Sequence, residues 1–336
     1  MTNRQIRLHR RPTGAPTPDD FTIVDSPMPR VDEGHVLRRT VYLSLDPYMR
    51  GRMNDARSYA APVALGDVMV GGTVSQVIES RDERFKPGDF VNGPDGWQQY
   101  GSSPATGLRK LDPAVAPIST ALGVLGMPGL TAYVGLLDIG QAKSGETVVV
   151  SAASGAVGSV VGQIARIKGC RAIGVAGSAE KCDYLTRELG FHAAVNHRDP
   201  DLKNALRAAC PNGIDVYFEN VGGVVLDAVM GLINRGARIP LCGLISQYNT
   251  RPLPPGPNLA PVLTMRARVQ GFIVSDHFDR FGAFLQECAP WVRSGDLRYR
   301  EDIVEGLDAA PQAFIGLLEG KNFGKLLVRV SDDPTR

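Results

Sequence analysis

The chain has 336 residues, of which 43% are apolar and 21% charged, with a formal net charge of +2. That length carries two domains with cores of their own, and the apolar and charged fractions are those of an ordinary globular protein. So small a charge argues against a nucleic-acid or anionic-membrane surface, and no apolar run approaches the roughly 18 residues that span a bilayer. The basic start MTNRQIRLHRRPTGAP has no apolar segment behind it and does not read as a signal peptide, so a cytoplasmic location is expected. Cys170, Cys182, Cys210, Cys242 and Cys288 are odd in number and show no C-x-x-C spacing, which reads as free thiols in a reducing compartment.

In chain order, short strands are expected first at Gln5–His9, Phe21–Asp25 and His35–Ser44. Val68–Glu79 has a strand pattern interrupted by Gly71 and Gly72, which predicts a bend or bulge. Phe90–Gly93, Trp97–Tyr100 and Gly107–Leu111 complete an all-β module, expected as a partly closed barrel. Helical character starts at Thr120–Met127 and Leu130–Leu137. Strand-like segments at Glu146–Ser151, Arg171–Ala176, Ile214–Glu219 and Ala237–Gly243 then alternate with helices, and Phe272–Val274 reads as one more buried strand. This alternation predicts a doubly wound parallel α/β sheet. Glu301–Glu305 and Lys325–Val330 are read as strands around a helix at Ala309–Leu318. The expected division is 1–120 for the β module, 121–295 for the α/β domain and 296–336 for a return to the β module.

The stretch from Ser144 to Arg198 carries the most specific local signal. A β-branched strand ends at Ser151, the turn Ala152–Gly158 follows, and a helix runs to Lys168 before the next strand at Arg171. Gly155 and Gly158, with Ala156 and Val157 between them, leave room for a pyrophosphate on the helix N-terminus. Strand, glycine turn, helix and strand in about 30 residues is a dinucleotide-binding unit. At the end of the second strand an NAD enzyme places an acid for the ribose 2′-hydroxyl. Here Ala176-Gly177-Ser178 occupies that place and Lys181 follows in the next helix, a pattern suited to the 2′-phosphate of NADP.

The strings TVYLSLDPYMRGRM (40–53), VLGMPGLTAYVGLLDIG (124–140), SAASGAVGSVVGQIAR (151–166), FENVGG (218–223), CGLISQYN (242–249) and GKNFGKLLVRV (320–330) make the signal more specific. Together they resemble the zinc-independent medium-chain dehydrogenase/reductases, in the prostaglandin reductase and leukotriene hydroxydehydrogenase branch. The resemblance covers essentially the whole chain. It implies a GroES-like β-barrel domain, a Rossmann-type NADP(H)-binding domain and an active site in the cleft between them. It also implies NADPH-dependent reduction of the carbon–carbon double bond of α,β-unsaturated ketones and aldehydes, and a homodimer. A quinone reductase and a non-catalytic NADPH-binding protein are the alternatives.

Zinc alcohol dehydrogenases of the same architecture hold their catalytic metal with two cysteines and a histidine. No cysteine precedes Cys170 here, His9 and His35 stand apart, and Gly71-Gly72-Thr73 stands where the zinc enzymes carry Gly-His-Glu. No metal is therefore expected, and reduction of an activated C=C needs none. By the resemblance, cofactor contacts come from Met127, Thr131, Gly177, Ser178, Lys181, His197, Asn220 and Asn322. The runs Cys242-Gly243-Leu244-Ile245-Ser246 with Tyr248, and Phe272-Ile273-Val274, are expected on the nicotinamide side. His197 departs from the tyrosine of many relatives, and an imidazole paired with the phosphate would make NADP affinity depend on pH near 6–7. Tyr248 and Tyr48 are the candidate hydrogen-bond donors to an enolate. Tyr59 is a third tyrosine expected near the substrate, and Arg50 and Arg52 are candidates for an acidic substrate tail.

Overall fold

The computed structural model describes residues 2–336, which fall into two compact units. One comprises the residues up to Leu122 together with Glu301–Asn322 and Leu326–Arg336; the other comprises Gly123–Arg300 and Phe323–Lys325.

The first unit opens with an antiparallel pair, β1 (Thr2–Leu8) and β2 (Phe21–Pro27). β3 (His35–Ser44) is the long strand expected from HVLRRTVYLS, and α1 (Tyr48–Arg52) is a short helix after it. β4 (Thr73–Ser80), β5 (Phe90–Gly93), β6 (Tyr100–Pro104) and β7 (Arg109–Leu111) follow. Several boundaries differ from expectation by a few residues, and two of the shifts have a clear structural reason. β4 begins only at Thr73, because the chain before it is drawn against β3: a Cβ on Gly71 would lie 2.8 Å from Leu43 Cδ1. Pairing by β6 begins at Tyr100, not at Trp97. Trp97 is instead a core anchor, fully buried, stacked on Phe21 at 5.4 Å and edge-on to Phe314 at 5.6 Å. The segment expected as a helix over Thr120–Met127 is a 3₁₀ turn at Ile118–Leu122.

The second unit begins with α2 (Met127–Tyr133), which widens into a π-helical turn over Val134–Ile139. Strands and helices then alternate: β8 (Thr147–Ser151), α3 (Gly158–Ile167), β9 (Arg171–Ala176), α4 (Ala179–Arg187), β10 (Ala193–Asn196), α5 (Leu202–Ala209), β11 (Ile214–Phe218), α6 (Gly223–Met230), β12 (Ile233–Leu241), α7 (Ala260–Thr264), β13 (Arg268–Gly271) and α8 (Phe281–Ser294). All neighbours in the six-stranded sheet are parallel, in the order β10-β9-β8-β11-β12-β13. The order reverses direction beside β8, so the crevice between β8 and β11 is the switch point where doubly wound sheets bind ligands. β8 is buried at all five positions, as a strand covered on both faces must be. The expected buried strand at Phe272–Val274 is displaced: β13 stops at Gly271, is exposed at every residue and forms the sheet's edge. Val274 already starts a 3₁₀ turn.

The chain then completes the first unit with β14 (Glu301–Glu305), α9 (Ala310–Leu318) and β15 (Lys325–Arg329). β15 pairs antiparallel with β3, Leu327 opposite Ser44, in a seven-stranded sheet ordered β14-β15-β3-β4-β5-β7 with β6 added on β3. Among the described residues no helix is long and apolar enough to cross a membrane.

Candidate active site

In the second unit, residues that the sequence nominates follow the C-terminal ends of five successive strands. The glycine turn leaves β8 with Ala152 at φ 49° and re-enters helix at Gly158. A Cβ on Gly158 would stand 2.4 Å from Ala152 O, so only glycine lets α3 start so close to the strand. No side chain caps the N-terminus of α3. Ser159 N and Val160 N donate to Gly155 O and Val157 O at 3.0 and 3.1 Å, so it is the helix dipole and the side-chain-free glycine turn that favour an anion here. Gly177 and Ser178 follow β9, and Ser178 Oγ accepts from Lys181 N at 3.2 Å, capping α4.

His197 follows β10. Its N–H donates to Ala176 O at 2.9 Å, and its Nε2 would lie 3.0 Å from a Cβ on Gly177. Burial first, then Arg198 and Lys181, push the imidazole below its ordinary value. It is therefore uncharged at neutral pH. Arg198 Nε would lie 3.8 Å from that same Cβ on Gly177, so a second cation covers this turn. Phe323 adds a third feature: Lys181 Nζ is 5.9 Å and Arg300 Cζ 3.9 Å from its ring centroid, and Tyr184 meets it edge-on at 4.9 Å. Gly324 next to it bridges Gly155 of the glycine turn. Arg300 was not nominated by the sequence, whereas Arg198 belongs to the run Asn196-His197-Arg198 that the resemblance sets near the adenosine phosphate. Nothing in local spacing links either to the Gly177–Lys181 turn.

After β11, Asn220 is held by β8: its backbone N–H donates to Ser151 Oγ and its Nδ2 to Ser151 O, both at 2.8 Å. Glu219 is the hub beneath it. Its Oε1 accepts from Ser151 Oγ and Tyr217 Oη at 2.9 Å each and from Val221 N at 2.6 Å. Burial pushes the Glu219 carboxyl upward against those hydrogen bonds. Its backbone carbonyl accepts from Cys242 N at 2.9 Å and Gly243 N at 3.1 Å, tying the segment after β12 to the segment after β11. Ser246 Oγ adds a 2.6 Å donation to Val221 O. Tyr248 Oη lies over Gly243, 3.1 Å from a Cβ built there, and accepts from Leu244 N at 3.4 Å. Ile245 N donates to Asn220 O at 3.2 Å. The structure therefore brings Asn220, Cys242–Ser246 and Tyr248 together.

Met127 and Thr131 share the first turn of α2, Thr131 Oγ1 donating to Met127 O at 2.8 Å. Phe272 meets Phe218 edge-on at 6.2 Å, with Ile273 and Val274 following it beyond β13. Asn322 directly precedes Phe323 in the chain. The glycine cradle, the uncapped α3 terminus and the cations around Gly177 fit a dinucleotide carrying a 2′-phosphate.

In the first unit, Tyr48 opens α1. Burial above all, with Asp46 and Tyr59 adding, keeps its phenol well above the ordinary value, while Arg52 acts in the opposite sense. Tyr48 is thus a hydroxyl donor at any physiological pH, and Tyr59 and Arg52 are its neighbours. Arg50, expected to meet a substrate tail, is 1% exposed. Its guanidinium donates to Asn54 Oδ1 at 2.7 Å, Gly14 O at 2.8 Å and Pro12 O at 3.3 Å, bracing the loop that precedes β2. Thr73 lies in a buried network: Asp95 accepts from Thr73 Oγ1 at 3.0 Å, Ser75 Oγ at 2.9 Å and both Nε and Nη2 of Arg38.

Comparison with known proteins follows the same division. Residues 4–111 match the family described as the N-terminal domain of oxidoreductase, and residues 156–289 match the one described as zinc-binding dehydrogenase. NADPH-dependent curcumin reductase of Escherichia coli (strain K12) is 54% identical over 337 residues, covering 98% of both chains. The chain belongs to the medium-chain dehydrogenase/reductase family. A 2-alkenal reductase (NADP(+)-dependent) of Nicotiana tabacum, 43% identical with 98% of each chain covered, extends the likeness to plants. The crystal structure of CurA from Vibrio vulnificus in complex with NADPH is 53% identical, with a TM-score of 0.94 over 98% of this chain and 100% of that one. The zinc-binding label of one family pattern meets a chain whose cysteines lie apart. Burial pushes the thiols of Cys170 and Cys210 up to about 11 and those of Cys242 and Cys288 up to about 12. Among the described residues no group of three or more His, Cys, Asp or Glu could hold a metal ion.

Proposed function

We propose that the chain is an NADPH-dependent reductase of the carbon–carbon double bond of α,β-unsaturated ketones and aldehydes. The observation that carries this is near-full-length likeness to curcumin and alkenal reductases in a chain whose strand ends fit a 2′-phosphorylated dinucleotide. When bound, NADPH supplies the hydride that adds to the β-carbon of the enone. Gly155, Gly158 and the α3 terminus hold the pyrophosphate, Ser178, Lys181 and His197 the adenosine phosphate, and Asn220 with Cys242–Ser246 the nicotinamide half. Met127, Thr131, Phe272–Val274 and Asn322 complete the cofactor contacts. Charge then develops on the carbonyl oxygen of the substrate, and hydroxyl donors stabilise it. Tyr48 and Tyr248 are those donors, and Tyr59 contacts the substrate.

The working form is a homodimer in the cytoplasm, where five free thiols persist. The exposed edge strand β13 is the surface that a second copy covers. The test is NADPH oxidation by the purified chain with a panel of enones, enals and quinones, including Tyr248→Phe. Enone turnover, slowed in Tyr248→Phe by about 10²–10⁴-fold with NADPH binding retained, is expected. Turnover of quinones alone, or binding without turnover, would overturn the reading.

A further inference from the structure

We propose that Arg52 anchors a carboxylate carried by the enone substrate, beside Tyr48 and Tyr59. The inference rests on the reductase reading and names the substrate class within it. Tyr48 and Arg52 stand four apart on α1, on one helix face, whereas Met49 and Arg50 between them are buried. Arg52 also forms the neck of the loop that carries Tyr59: its carbonyl accepts from Val63 N at 2.8 Å, closing residues 53–62. One guanidinium and two phenols therefore come from a single short stretch.

The Arg52 side chain is half-buried, and its Nε is fully buried with no hydrogen-bond partner. Among the described residues nothing accepts a hydrogen bond from its guanidinium or forms an ion pair with it. Other cations of the same unit are committed: Arg4 to Asp308, Arg10 to Asp20, Arg38 to Asp95, Arg84 to Asp82 and Lys110 to Asp89. Asp46, the acid beside Tyr48, accepts from Ser44 Oγ, and Asp55 in the Tyr59 loop does not reach Arg52. A buried N–H without an acceptor is costly, and a carboxylate offers the planar pair of oxygens that a guanidinium fork matches. Arg50 cannot take this role, because its donors are spent on the chain itself.

The experiment compares two enones that share the reacting carbons, one ending in a carboxylate and the other in its methyl ester. In wild type the carboxylate is expected to have the higher kcat/KM. In Arg52→Gln the carboxylate-to-ester ratio of kcat/KM should fall by about 10–100-fold, through KM, as loss of a charge-assisted contact implies. Titration calorimetry of the saturated acid tests the anchor without turnover, and Arg52→Gln should weaken it by the same factor. An unchanged ratio, or equal affinity for the acid in both proteins, overturns the anchor. If neither enone consumes NADPH in wild type, the reductase reading falls, and the calorimetry still decides for or against the anchor.

Discussion

At the scale of single residues, the cofactor preference turns on Lys181. Its backbone is fixed by the Ser178 cap and its ammonium is held near the Phe323 ring. A charge-assisted contact with the 2′-phosphate is worth about 1.5–3 kcal/mol. Lys181→Ala should therefore weaken NADPH binding about 10–100-fold and leave NADH unchanged, measured by fluorescence titration; equal losses for both would assign the lysine a structural role. His197 brings a pH dependence of defined sign. Burial, with Arg198 and Lys181, pushes its pKa below the ordinary 6.5, so a proton is gained only as pH falls below that range. The ratio of NADPH affinities, wild type over His197→Gln, should be flat from pH 8 to 7 and rise as pH falls below 6.5. A ratio that stays flat down to pH 5.5 removes the phosphate contact. The window expected from sequence, near 6–7, is moved downward by burial and by the neighbouring Arg198 and Lys181. Spacing from the glycines pointed to Lys181 because that fingerprint is local. The approach of Arg198 to Gly177 and of Arg300 to Phe323 depends on where strands end and chains cross, which no window of sequence contains.

At the scale of elements, β3 and β14 were legible residue for residue, because β-branched and other apolar residues mark both: Val36, Thr40 and Val41 in one, Ile303 and Val304 in the other. β10 escaped notice: Ala193-Ala194-Val195-Asn196 has one β-branched residue and no alternation, and it pairs because β9 offers it an edge. The Arg38–Asp95 network was equally hidden, since its members come from β3, β4 and the turn after β5. Both charges are essentially unexposed, so removing one leaves the other buried without compensation. Asp95→Ala is expected to cost about 3–5 kcal/mol in urea unfolding. A loss below about 1 kcal/mol would mean that Arg38 finds water or another acceptor. The Glu219 hub differs, because burial acts against the charge of its carboxyl and its donors can be kept by a neutral isostere. Glu219→Gln keeps the acceptor that Ser151, Tyr217 and Val221 share and should cost less than about 1 kcal/mol, whereas Glu219→Ala orphans three donors and should cost several times more.

At the scale of the whole molecule, the alternation of strand and helix announced a doubly wound sheet, but not its edge. The expected strand at Phe272–Val274 read as interior because three apolar residues adjoin. The edge is set instead by Arg268–Gly271, whose backbone pairs with β12 on one side and, among the described residues, with no strand on the other. Around it Leu259, Leu263, Met265, Val269 and Phe278 are all at least 40% exposed. An unpaired edge strand bordered by exposed apolar side chains is a template for pairing with another chain, and a second copy of this chain meets it as the proposed homodimer. Val269 is the residue to change. It sits on the edge strand itself and is 45% exposed, so a lysine there should alter folding stability by no more than about 0.5 kcal/mol. Two such lysines facing each other across a symmetric contact would repel and lose apolar burial. Wild type is therefore expected to run as a dimer in size-exclusion chromatography with light scattering at micromolar concentration. Val269→Lys should shift toward monomer with unchanged circular dichroism. A monomeric wild type would remove the dimer altogether. A Val269→Lys protein as dimeric as wild type would move the contact to another face of the molecule.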